Sequence, residues 1–355
     1  MTSATLRRTT AITAGLAATA LLLAACGNGN GGSDATGTAG AGGDSLTIGT
    51  TDKITTIDPA GSYDNGSFAV MNQVYPFLLN TPYGSPDVKP DIAVSAEFTS
   101  PTEYTVKLKP GLKFANGHAL TSSDVKFTFD RQLTILANGA DGGNGPASLL
   151  YNLESTDAPD DTTVVFHLKS ENDQVFPQIL SSPAGPIVDE EVFAADKLTS
   201  DADIVAAKPF AGPYIITSYT LNELVSYEAN PEYQGLYGAP KSKTVTVQYF
   251  ADSSNLKLSV QQGEVDVAFR SLSATDIDDL RGDDNVKVVD GPGGEIRYIV
   301  FNFDTQPFGA PPRTRTPARP WPCARPWPTS STAPRSPTRS TRAPTRPCTP
   351  TCRPA

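Results

Sequence analysis

At 355 residues, with 28 Lys plus Arg against 38 Asp plus Glu and a net charge of −10, the chain is too long for a small disulfide scaffold and too acidic for a nucleic-acid binder. Its four cysteines all lie outside residues 44–310, so that stretch has neither a disulfide frame nor a thiolate metal site. The same stretch holds 17 Lys plus Arg and 37 Asp plus Glu, a local net charge near −20, which also disfavours anionic lipid; its length allows a sizeable core.

Arg7 and Arg8 precede an uncharged run over 9–25 rich in Ala and Leu, the charged and apolar regions of an export signal. The run is short for a spanning helix, and no later stretch approaches the roughly 18 apolar residues that one needs. It ends in Leu23, Ala24, Ala25 and Cys26, which resembles the lipobox of bacterial lipoproteins, where the Cys thiol takes the lipid. The expectation is a signal peptide over 1–26 and a chain lipid-anchored to the outer face of the cell membrane, in the periplasmic space of a two-membrane cell. The Arg7 and Arg8 pair leaves both general and twin-arginine export open. Residues 27–43 contain eight glycines in seventeen positions, a flexible tether between membrane and folded domain.

From residue 44 onward, short runs with strand character recur between turn residues. Strands are expected over 46–51, 104–108, 163–168, 244–250, 265–269, 286–289 and 297–303, and helices over 67–79, 122–136, 173–180 and 253–262. Pro110 and Gly111 occupy the middle of a type II turn, which predicts a hairpin. Thr121 or Ser122 can cap the following helix, with Asp124 favouring its N-terminus. The fold class that follows is mixed α/β (α+β).

After residue 310 the composition changes: the last 45 residues hold 13 Pro, 9 Arg and 9 Thr and no Leu, Ile, Val, Phe, Gly, Asp, Glu or Lys. Nothing there can form a core, so 311–355 is expected to be disordered. Two readings stand, a cationic polyproline-like spacer and an out-of-phase translation of GC-rich codons. The second is favoured, since one codon choice for Pro326 to Thr332, moved by two bases, reads Met-Ala-His-Leu-Val-Asp. Cys348 and Cys352 have no His, Asp or Glu nearby to complete a zinc site, and no cofactor is expected.

The order of motifs resembles the family-5 extracellular solute-binding proteins, the dipeptide-, oligopeptide- and nickel-binding lipoproteins of ABC importers. Pro90, Ile92, Ala93 and Ser95 resemble Pro-x-Leu-Ala-x-Ser. Tyr104 through Val125, including Lys113, Phe114, Gly117, Leu120, Thr121 and Asp124, resembles the family's long strand, hairpin and helix signature, with Ala115, Asn116 and Ala119 departing from its His, Asp and Pro. Gly212-Pro213-Tyr214, Asn230-Pro231 with Tyr233, and Gly263-Glu264-Val265-Asp266 match further elements, as does Arg297 through Phe303 with Pro307 and Phe308. The resemblance implies a two-lobed periplasmic-binding-protein-like fold that closes on its solute. Mainly lobe I is present, over 44–294, with the hinge strand and start of lobe II over 295–310; lobe II and a final segment returning to lobe I lie outside the chain. It implies as partners a small solute, an oligopeptide or dipeptide, and the permease and ATPase subunits of an importer, with the chain acting as a monomer and no nucleic acid bound.

Candidate solute-binding residues are those that follow the first strand, Tyr63, Asp64, Asn65, Ser67 and Phe68, an aromatic and polar mixture suited to a pocket; an ordinary loop and helix start explains them equally. Arg270, after the 265–269 strand, can pair with a solute carboxylate, and an exposed strand-end Arg is the plainer account. His118 and His167 are the two histidines; no nucleophile or carboxylate set around them is evident, and no phosphate-binding loop appears. The expectation is therefore a binding protein, not an enzyme. A secreted hydrolase or non-transport lipoprotein on the same fold, or a product without function, are the alternatives.

Overall fold

The structure is a computed structural model and describes residues 44–139, 144–270, 272–291 and 299. The signal peptide with Cys26, the linker, the 297–303 strand except Ile299, and the 311–355 tail lie outside the described residues. All the elements below belong to the unit Met1–Gly291.

In chain order the elements are β1 (Ser45–Thr50), α1 (Asn65–Val74), β2 (Leu79–Asn80), β3 (Lys89–Pro90), β4 (Ala93–Ser100), β5 (Glu103–Leu108), α2 (Ser122–Asn138), β6 (Leu153–Asp160), β7 (Thr163–Leu168), α3 (Phe176–Ile179), α4 (Asp201–Ala207), β8 (Tyr214–Thr220), β9 (Leu224–Ala229), β10 (Thr244–Tyr249), α5 (Ser253–Gln262), β11 (Val267–Ala268) and α6 (Ala274–Arg281). The mixed α/β class expected from the sequence is the one observed.

Two sheets carry the architecture. The first has the order β4-β5-β7-β6 and is antiparallel throughout. Period-two burial of Tyr104, Val106 and Leu108 on β5 and of Val164, Phe166 and Leu168 on β7 gives it one core face. Helix α2 covers that face: Val125 and Phe129 are fully buried, and Phe129 meets Phe166 edge to face at 5.0 Å. The helix starts as expected, because Thr121 and Asp124 form a capping box, and it stops at Gly139, whose φ of 61° suits glycine.

The second sheet is mixed, with the order β11-β1-β10-β9-β8. Strand β1 runs parallel to β10, Ser45 opposite Thr244 through Thr50 opposite Tyr249, and parallel to β11 on its other side. Its second core cluster includes Val70, Val74, Ile216, Val225 and Tyr227, partly roofed by α1. On the opposite face Gly49 sits against Leu256 of α5, where a Cβ would strike its side chain.

Several expected boundaries differ. The 67–79 helix is Asn65–Val74 instead, because Tyr75 precedes Pro76 and adopts extended backbone with ψ of 147°. The 173–180 helix is reduced to Phe176–Ile179. Residues 286–289 form no strand, and Val289 is exposed. Of 265–269, Val267 and Ala268 alone pair as a strand. The Pro110-Gly111 turn has the expected left-handed Gly111, φ 71°. The hairpin lies one step later, where Lys113 bridges Ala119 and the Phe114 N–H donates to the His118 carbonyl at 3.0 Å. Strands β2, β3, β4, β6, β8 and β9 and helices α4 and α6 lie where the sequence reading predicts no such element.

Candidate functional site

Helix α1 begins on Asp64, whose carboxylate accepts the Ser67 backbone N–H at 2.8 Å and the Ser67 hydroxyl at 2.9 Å. The Ser67 Oγ in turn accepts the Thr55 N–H at 2.8 Å. These bonds fasten the helix start to the loop that follows β1. Gly66 is needed at the crossing, because a Cβ there would run into the Lys53 carbonyl. Asp64 and buried Ser67 thus have structural work to do, and Tyr63 is exposed on the outside of the turn.

Asn65, Phe68 and Arg270 are brought together. They line one cavity of about 860 Å³ between α1, the parallel edge of the mixed sheet and the loop over 237–242. Its floor is the sheet face, with Leu46 and Ile48 from β1 and Val245 and Val247 from β10. Its walls are aromatic, made by Phe68, Tyr83, Tyr214, Tyr227, Tyr237 and Tyr249. Tyr83 stacks on Tyr237 with centroids 4.6 Å apart and planes 23° from parallel. The Tyr237 hydroxyl donates to the Thr81 carbonyl at 2.8 Å, and that of Tyr214 to the Ser242 carbonyl at 3.2 Å.

Burial pushes Tyr237 up to about 12 and lifts Tyr214, Tyr227 and Tyr249 above the ordinary phenol value. At neutral pH these four tyrosines therefore offer neutral hydroxyls on apolar rings, not a phenolate base or nucleophile. Such a surface can hold an apolar or aromatic group and orient it by hydrogen bonds.

Arg270 stands at the carboxyl-terminal edge of the three parallel strands β1, β10 and β11, the edge at which α/β proteins bind ligands. Its Nε lies 3.2 Å from the Asp52 carboxylate. Its φ of 62° is a left-handed value unusual for a residue with a side chain.

The tyrosines of the wall and Asp52 were missed by sequence reasoning. Tyr249 alternates with Val245 and Val247 along β10, a signal that was available; Tyr83 and Tyr237 come from distant loops with no local pattern.

The histidines stand elsewhere. His118 Nδ1 is 2.8 Å from the buried Asp189 carboxylate, which also accepts the Asn116 amide at 2.8 Å. His167 Nε2 is 3.0 Å from Asp157 across the β6–β7 pair. Among the described residues, no group of three or more His, Cys, Asp or Glu is placed to hold a metal ion.

A family profile described as bacterial extracellular solute-binding proteins, family 5 Middle, matches residues 87–316, well over half of the chain. The chain belongs to family 5 of the bacterial extracellular solute-binding proteins. The probable D,D-dipeptide-binding periplasmic protein DdpA of Escherichia coli K12 is 30% identical over 271 residues, covering 74% of this chain and 50% of the relative. The oligopeptide-binding protein AppA of Bacillus subtilis is 29% identical over 271 residues, 75% of this chain and 48% of the relative.

The solved structure of AppA in complex with a nonapeptide superposes with a TM-score of 0.57 and 26% identity, covering 69% of this chain and 47% of that one. The ABC transporter substrate-binding protein CtaP of Listeria monocytogenes superposes with a TM-score of 0.52 and 29% identity, covering 63% and 44%. This chain spans about half the length of the relatives it matches. Members of this family bind solutes for transport outside the cytoplasm and are not enzymes, and the mixed α/β fold described above is theirs.

Proposed function

We propose that the chain captures a peptide or similar small solute outside the cytoplasmic membrane and delivers it to the permease and ATPase subunits of an ABC importer. It acts as a monomer without cofactor or catalysis, tethered by a lipid on Cys26. The observation that carries this reading is the likeness to AppA, whose structure is a complex with a nonapeptide. The tyrosine-walled cavity with Asn65, Phe68 and Arg270 at its rim supports it, being an apolar hollow with a few polar groups that fix orientation.

The test is thermal unfolding with a panel of dipeptides to nonapeptides. A peptide present at a hundredfold its Kd stabilises the folded state by about 2.7 kcal/mol. The expected result is a concentration-dependent rise in Tm with the peptide recovered intact. No shift with any peptide, or hydrolysis of one, overturns the reading. The anchor is tested separately by Cys26→Ala, which is expected to release the protein from the membrane fraction.

A second reading is favoured by the cavity floor. Leu46, Ile48, Val245 and Val247 alternate along two adjacent strands, Val245 buried and the other three partly buried, a pattern that folded proteins cover with their own chain. On this reading the floor seats polypeptide from the half of the relatives' length that this chain does not match, and only the rim meets solute. Val247→Trp separates the two: filling the floor abolishes peptide-induced stabilisation on the first reading and leaves it intact on the second.

A further inference from the structure

We infer that Arg270 reads a carboxylate of the captured solute and that Asp52 is the positioning residue that aims it. The inference rests on the solute-capture reading above and adds to it a partner for Arg270 and a chemical selectivity.

Three observations carry it. The pair sits at the carboxyl-terminal edge of parallel strands, where backbone ends and side chains from several strands converge on one spot. The backbone on both sides is fixed: the Phe269 N–H donates to the Gly49 carbonyl at 2.8 Å, and the Asp52 N–H to the Thr50 hydroxyl at 3.2 Å. Arg270 nevertheless holds a left-handed φ of 62°, a strained choice of the kind that clusters at ligand sites.

The side chains are neither buried nor fully solvated, with exposures of 34% for Arg270 and 23% for Asp52. That is the setting in which a guanidinium stays reachable while water screens it less than on an open surface. Its planar fork of donors matches a carboxylate, which an ammonium would not do as specifically. Asn65 and Phe68 line the same cavity as Arg270, so a solute whose carboxylate lies on Arg270 shares that hollow with an amide and a ring. Asp52 contributes by restricting the rotamers of Arg270, a preorganisation that is lost when the pair is broken.

The experiment is calorimetric titration of trialanine and of trialaninamide into the wild-type chain, Arg270→Gln, Asp52→Asn and Asp52→Glu. The wild-type chain is expected to bind the free acid about tenfold more tightly than the amide, as for a charge-assisted pair. Arg270→Gln brings the ratio to one. Asp52→Asn lowers the ratio while leaving the affinity for the amide unchanged, and Asp52→Glu restores it, which a merely structural role for Asp52 would not do. Equal binding of acid and amide to the wild type overturns this inference and leaves the capture reading standing, as does a ratio untouched by Asp52→Asn. Binding of neither peptide to the wild type overturns both.

Discussion

Arg131 and Asp58 form a two-pronged ion pair in the interior, Nη1 to Oδ1 at 2.9 Å and Nη2 to Oδ2 at 2.6 Å, with both side chains almost wholly out of contact with solvent. The remaining hydrogen-bonding capacity is also used. Arg131 donates to the carbonyls of Ala194 and Lys197, and Asp58 accepts the N–H groups of Ala60 and Thr199. The Phe193 ring lies 5.3 Å from the guanidinium. Helix α2, the loop after β1 and the 194–199 loop are joined at one point.

Breaking this pair from either side leaves a buried charge without its partner. Asp58→Asn or Arg131→Met is expected to destabilise the chain by about 3–5 kcal/mol, read as a lowered midpoint in urea with an unchanged slope. A loss under about 1 kcal/mol would place the pair in effective contact with water and contradict the burial.

How far the sequence already displayed this molecule depends on whether the decisive interaction is local. The α2 cap at Thr121 and Asp124 lies within four residues, and the predicted 253–262 helix has the bounds of α5 because Asp252 caps it and Gly263 ends it at φ 72°. Strand β6 was hidden because Asp157, Pro159 and Asp160 interrupt any apolar alternation, and it forms through pairing with β7 across two register shifts. The sequence predicts too late an end for α1 because the apolar residues 74–79 continue its pattern; the stop imposed by Pro76 outweighs that pattern. The Asp52 and Arg270 pair unites the ends of two strands far apart in the chain, and nothing near either residue announces the other.

His118 sits among carboxylates from two segments: Asp189 and Glu191 beside it, with Glu190 between them bonded through its N–H to Asp124, and Asp124 itself at the start of α2. The hydrogen bond to Asp189 raises the His118 pKa above its ordinary 6.5. Its protonated form thus favours folding, fully so below pH 6.5, and that contribution is lost as pH rises through the raised value. Burial pushes Asp124 up from 3.8 to about 6, so stability is gained as pH falls through that window. Both effects make Tm fall from pH 4 to pH 8. His118→Gln is expected to flatten the upper part of the profile and Asp124→Asn the lower part; parallel profiles for all three proteins would falsify the assignment.

Gly66 is the point at which α1 crosses the Lys53 carbonyl with no room for a Cβ. Gly66→Ala normally favours a helix, by roughly 1 kcal/mol. Here the clash is with backbone, and the expected net outcome is a destabilisation of about 1–3 kcal/mol. Chemical denaturation decides the sign, and a stabilised variant would mean that the loop after β1 moves away from α1 at little cost.

Asn222 gives the last prediction, because it holds the same loop from the opposite side. At the tip of the β8–β9 hairpin it adopts φ 56°, and its amide pairs with both backbone groups of Ile54, accepting the N–H at 2.6 Å and donating to the carbonyl at 3.1 Å. One side chain thus does the work of a strand partner for a residue two positions from Asp52. Asn222→Gly keeps the left-handed backbone accessible and removes both hydrogen bonds, and is expected to lower stability by about 1–3 kcal/mol. Asn222→Ala adds the backbone strain and is expected to lower it further. If the loop is what positions Asp52, Asn222→Gly also reduces the preference for trialanine over trialaninamide, although Asn222 does not line the cavity. A variant that loses stability but keeps that preference would show that the Asn222 contact with Ile54 does not position Asp52.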